Sequence, residues 1–172
     1  MILGDQSDLL ELKDTLTVEI IDQPFVYGSQ AGSIRYWSRR LDGQLWLISP
    51  DLSQINALIT ATAMINNLRF VGRLTDPLQQ GEFPRNGSLV VPIGIQEATY
   101  ELAMALLKDT DLETEYRNLF VTKRDFGSIR TDYDYSLKGP EHIVAGIPSL
   151  KAWHLLLPFL SPDRTVKLSR KS

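Results

Sequence analysis

Residues 49–66 read Ser49-Pro50-Asp51-Leu52-Ser53-Gln54-Ile55-Asn56-Ala57-Leu58-Ile59-Thr60-Ala61-Thr62-Ala63-Met64-Ile65-Asn66. Ile55, Leu58, Ile59, Thr62 and Ile65 recur at helical spacing, which predicts a helix running to about Asn67 with those side chains on its buried face. The Ser-Pro-Asp opening is a helix-start signal. Ala57, Ala61 and Ala63 leave room for another helix to approach closely. A second helix is predicted from Pro92, a residue suited to the first turn, to near Lys108. Its core face is Ile95, Ala98, Leu102, Ala105 and Leu106, with Tyr100 and Met104 beside it. Two long apolar helices place the chain in a mainly α class: a small helical bundle.

Working outward, Ser29 is a plausible N-cap for a helix reaching Leu41. Ile34, Trp37 and Leu41 would form its buried face, and Arg35, Arg39 and Arg40 lie off it. Trp46 falls in the connection that follows. Residues 68–91 form a connection longer than a compact domain normally needs. It holds Gly72, Pro77, Gly81, Pro84 and Gly87, and Phe70 and Phe83 would be exposed unless it docks on a partner. Leu119–Thr122 and Ser128–Thr131 flank Asp125-Phe126-Gly127, which predicts a β-hairpin at about 117–135. Pro148-Ser149-Leu150 opens a short last helix with Leu150, Trp153, Leu156 and Leu157 on one face, stopped by Pro158. Residues 1–28 read as an N-terminal arm with a strand at Thr17–Ile21, residues 29–160 as the helical domain, and residues 161–172 as a basic C-terminal tail.

The chain has 172 residues and a formal charge of −3. That balance argues against a generally basic nucleic-acid coat protein and against disorder throughout. No apolar run reaches the roughly 18–20 residues that cross a bilayer, so no membrane partner is expected, and no signal peptide is apparent. With no cysteine and two histidines, a disulfide scaffold and a Cys-based zinc site are excluded and a His-rich metal site is disfavoured. His154 reads as a packing residue within an apolar helix, and His142 as a solvated loop residue. The acidic stretch 109–115 lacks the glycine of a calcium loop, and no Gly-rich phosphate cradle is present. No catalytic residue, cofactor or metal is expected. The arginines of the first helix and of the tail are candidates for phosphate contacts.

The order of segments carries a resemblance. Tyr27-Gly28-Ser29 precedes the first helix. The run Ile55–Asn66 follows, then Phe70-Val71-Gly72, Gln79 and Phe83-Pro84-Arg85. Val91-Pro92, Ile95, Ala98 and Glu101-Leu102-Ala103 come next. Val121-Thr122-Lys123 with Gly127, and Leu155–Leu160 with Arg164 and Arg170, complete the pattern over about residues 27–170. This resembles small tailed-phage head–tail connector, or head-completion adaptor, proteins, a family often labelled DnaT-like single-stranded-DNA-binding protein. Phe83 stands where the family's motif has tryptophan, and the residues before Tyr27 form a longer N-terminus than the family's.

The resemblance implies a virion structural protein at the neck, assembled in the host cytoplasm. It would form a dodecameric ring between the portal protein and the tail or a stopper protein, with packaged DNA passing through without specific binding. In that setting Leu157, Phe159, Leu160, Arg164, Lys167, Arg170 and Lys171 are expected to bind the portal. Phe70, Phe83, Arg85, Phe120, Phe126, Tyr133 and Tyr135 are expected to line subunit contacts. The alternatives are a DnaT-like single-stranded-DNA-binding replication protein and a stopper or tail-completion protein of the same neck.

Overall fold

The computed structural model describes residues 24–109, 121–125, 130–133 and 139–162, the two short strand segments by backbone alone. In chain order the elements are α1 (Gln30–Trp37), α2 (Gln44–Ile48), α3 (Asp51–Asn66), α4 (Ile93–Leu107), β1 (Val121–Asp125), β2 (Arg130–Tyr133), α5 (Glu141–Val144) and α6 (Leu150–Leu156), the last running into a 3-10 turn at Leu157–Phe159. The fold is mainly helical. The expected hairpin at 117–135 is not established. The structure describes an antiparallel backbone ladder pairing Val121 with Tyr133 and Asp125 with Arg130, irregular between Val121 and Lys123. Residues 126–129, which would form its turn, lie outside the described residues.

α4 is the axis of the bundle. Eight of its residues are buried, Ile95 and the unbroken run Ala98–Met104 apart from none between, and α1, α2, α3 and α6 all pack against it. A helix buried on several sides needs apolar or small residues around most of its circumference, which Ala98, Thr99, Leu102 and Ala103 provide. Thr99 Oγ1 satisfies itself by donating to the Ile95 carbonyl at 2.9 Å. α3 contributes Gln54, Ala57, Leu58, Ala61, Thr62 and Ile65. The expected stripe is therefore rotated: Ile55 and Ile59 are only half-buried, while Gln54 sits inside. Gln54 is tolerated there because its Nε2 donates to the carbonyls of Trp46 at 2.8 Å and Ser49 at 3.1 Å, the first shared with the Ser49 amide that closes α2.

The first helix is shorter than its sequence pattern suggests. It ends at Trp37, with Ser38 as C-cap, and the chain doubles back so that Gly43 lies against the Trp37 carbonyl, where any Cβ would collide. This reversal turns Leu41 fully to solvent and leaves Ile34 39% exposed. Trp46, expected in a connection, is carried inward by α2 and is fully buried with Trp37. Tyr27, assigned to the arm, is also fully buried. Its hydroxyl donates to Asn66 Oδ1 and accepts from the Phe83 amide at 3.2 Å. Burial pushes its phenol up to about 12. His154 is exposed rather than packed, and His142 is half-buried on α5.

The long connection is where expectation and structure differ most. Phe70 and Phe83 are not exposed docking residues but 8% and 3% accessible core residues. Their rings lie 4.7 Å apart, and Phe83 also meets Tyr27 at 5.9 Å and Phe159 at 5.8 Å, all near edge-to-face. Arg85 fastens the loop: Nε donates to the Val71 carbonyl at 2.9 Å, Nη2 to those of Phe70 and Gly72, and Nη1 to the Glu82 carboxylate at 2.6 Å. Bridges pair Leu74 with Arg85 and Phe70 with Leu160.

α6 is capped by Ser149, whose Oγ accepts from the Ala152 amide at 3.1 Å. Ser149→Ala is expected to lower the unfolding free energy by about 0.5–2 kcal/mol. The change should read as a lower urea midpoint at unchanged slope.

Candidate nucleic-acid interface

The first turn of α1 is seated directly on α4. Ser29 caps the helix by accepting from the Gly32 amide at 3.0 Å, while its own amide donates to the Tyr100 hydroxyl at 3.3 Å. That contact needs glycine on both sides of Ser29. Gly28, at φ +90°, and Gly32 each leave the space that the Tyr100 hydroxyl fills. α1 thus crosses α4 closely at its start, and the two helices leave an open groove of about 590 Å³.

One wall of the groove is cationic. Arg35 and Arg39 stand exposed on the α1 side, and neither forms an ion pair among the described residues. Arg40 differs, because Glu101, a 5% accessible carboxylate of α4, holds it at 3.2 Å. Tyr36 completes this triad, donating its hydroxyl to Glu101 Oε1 at 2.8 Å and accepting from Arg40 Nη1 at 2.6 Å. The Arg40 guanidinium also lies 4.5 Å from the centroid of the Tyr36 ring, a favourable cation–π placement. Burial, and then the hydrogen bond to Glu101, raise the Tyr36 phenol far above its usual range, so it remains a donor throughout the physiological interval. A buried charge is tolerated when paired and hydrogen-bonded, and Glu101 is both. Its cost fixes Arg40 in place, with 36% of that side chain still accessible.

The other wall comes from α4: Ile93, Gln96, Glu97 and Tyr100, spaced i, i+3, i+4 and i+7 along one side of the helix. Beyond the groove, Lys151 donates to Asp42 at 2.8 Å and ties the reversal after α1 to α6. That hydrogen bond holds the Asp42 carboxyl below its usual value and lifts the Lys151 ammonium above its own.

Of the residues expected to bind a portal or a neighbouring subunit, those described here lie in or against the core. Phe70, Phe83 and Leu160 are core residues, and Leu157 and Phe159 are half-buried against that core. Arg85 is occupied within the loop. Tyr133 is described by backbone only, and Phe120, Phe126, Tyr135, Arg164, Lys167, Arg170 and Lys171 lie outside the described residues. The arginines of α1 were legible as a phosphate-binding candidate. Gln96, Glu97 and Tyr100 were not, although their polar stripe on an otherwise apolar helix was the signal available. Among the described residues no group of His, Asp and Glu could hold a metal ion.

A family model described as DnaT-like ssDNA binding protein matches residues 27–170. The chain belongs to that family. The match to the DnaT-like family begins at Tyr27, which is also the first fully buried residue described, and it spans every helix described here. No curated protein and no solved structure matches the chain.

Proposed function

We propose that the chain binds single-stranded DNA and that the groove between α1 and α4 is the binding surface. The observation that carries this reading is the pair Arg35 and Arg39, two cations held over an open groove without a counter-ion among the described residues. Phosphates are suitable anions for them, and guanidinium groups take phosphate oxygens in bidentate geometry. Arg40, braced by Tyr36 and Glu101, offers a flat cation on which an unstacked base can lie. Family membership supports the same reading. The chain as a whole carries −3, so attraction would be local to this wall and strongly screened by salt.

Fluorescence anisotropy with a labelled single strand tests it. The double replacement of Arg35 and Arg39 by alanine is expected to weaken binding about tenfold at low salt and to flatten the log–log salt slope by about 1.4, two single-strand phosphate contacts. Equal affinity and slope in the double variant would reject the groove as the site.

A second reading rests on a different observation. Leu41, Ile48 and Leu52 are largely exposed, and protein interfaces expose such apolar side chains in groups. The structural subunit this would fit is the ring-forming adaptor between portal and tail of a tailed phage that the resemblance implied. Purified protein mixed with portal rings and viewed by electron microscopy separates the two readings: a ring seated on the portal, with no salt-dependent DNA binding, supports the adaptor.

A further inference from the structure

We infer that Glu97 makes the groove selective among bases, favouring those that present N–H donors on their pairing edge, guanine above all, over thymine. The inference rests on the single-stranded-DNA reading of this groove and deepens it.

The two walls are chemically opposite. Arg35 on α1 and Arg39 just past its end offer only donors. On the facing side Glu97 offers only acceptors, and Gln96 offers both kinds of group. Gln96 Nε2 spends one of its two N–H donors on the Val91 carbonyl at 2.9 Å, which leaves that side chain one donor and the Oε1 acceptor, so the acceptor character of this wall rests on Glu97. Glu97 is half-buried and forms no ion pair among the described residues. An ionised carboxylate accepts and cannot donate. A ligand that satisfies both walls must carry an anion at one end and hydrogen-bond donors at the other. Inorganic phosphate and an acidic peptide meet the first wall and are repelled by the second. A nucleotide meets both, with its phosphate toward the arginines and its base edge toward α4.

The bases are not equivalent at an acceptor wall. Guanine presents N1–H and the N2 amino group side by side, two donors that match the two oxygens of one carboxylate. Cytosine and adenine each present one amino group beside a ring acceptor. Thymine presents a single N3–H flanked by two carbonyl oxygens, both of which would face the Glu97 charge. A carboxylate reading a base edge through paired hydrogen bonds discriminates by roughly tenfold or more. The structural basis resembles other polar sites, where the penalty falls on the ligand that leaves a partly buried group unpaired.

The test is anisotropy with short strands of dT, dC and dA, and a dT strand carrying isolated guanines spaced to prevent four-stranded structures. For the wild type, the guanine-bearing strand is expected to bind about tenfold tighter than the dT strand, with the dC and dA strands between. Glu97→Gln, nearly isosteric and able to donate, is expected to abolish that order while binding the dT strand at least as well, because a negative charge has left the groove. Circular dichroism reports whether the variant is folded. Replacing Arg35 and Arg39 together should weaken all strands alike and preserve their order. Equal affinity of the wild type for all strands, or an unchanged order in Glu97→Gln, overturns base selection and leaves DNA binding standing. No salt-dependent binding of any strand overturns both.

Discussion

Replacing Phe83 by alanine is expected to destabilise the monomer by about 3–5 kcal/mol. Phe83 is 3% accessible and touches the rings of Tyr27, Phe70 and Phe159, so truncation removes buried area and also three edge-to-face contacts. The cavity would open beneath the loop, where the Tyr27 hydroxyl and the Phe83 amide fix the backbone and limit collapse. Urea unfolding gives the measurement, and sedimentation velocity supplies the contrast. A variant of unchanged monomer stability that lost only self-association would return Phe83 to an intersubunit role. Phe83→Leu, which keeps much of the volume, should recover part of the loss.

Arg85→Ala is the second large effect, expected at about 2–4 kcal/mol. The side chain is 10% accessible, and its partner Glu82 is 35% accessible, so the pair is screened on one side only and the ion pair alone is a minor part. The greater loss is at the carbonyls of Phe70, Val71 and Gly72, which one planar guanidinium serves together. Lysine cannot reproduce that fork, and Arg85→Lys should therefore recover little. Limited proteolysis should show new cleavage between residues 72 and 91 in both variants. If DNA binds in the proposed groove between α1 and α4, its affinity should hold in each variant; a parallel fall would place part of the proposed surface on the loop.

The helices α3 and α4 were legible because their apolar residues recur at a helical period over four turns and each begins after a proline. What the period could not supply was rotation: Gln54 is buried because its amide finds the Trp46 and Ser49 carbonyls at the end of α2, a tertiary contact invisible in a local pattern. The same holds for α1, where a reversal at Gly43 overrides a continuing apolar spacing at Leu41. The loop was read as awaiting a partner because glycines and prolines signal an absence of regular structure, not an absence of order. Its order comes from Arg85, Asn66 and Tyr27, single side chains that bond to backbone far away in sequence. For the candidate site, the arginines stood out as charges off an apolar face. Glu97 and Tyr100 were hidden by the apolar length of α4, and only the approach of α1 through Gly28 and Gly32 brings them opposite the arginines.

The bridge between Phe70 and Leu160 is flanked by hydrogen bonds from the Val71 amide to the Phe159 carbonyl and from the Ser161 amide to the Arg69 carbonyl. The loop therefore closes on a segment synthesised much later. Translation from residue 85 to residue 161 takes roughly 4–15 s at ordinary elongation rates. Throughout that interval Phe70 and Phe83 lack the Phe159 and Leu160 side chains that shield them, a long exposure for two aromatic residues on a nascent chain. Released fragments ending before Leu157 should be cut readily within the loop, and those extended past Ser161 protected, which makes the 3-10 turn the latch that closes the loop.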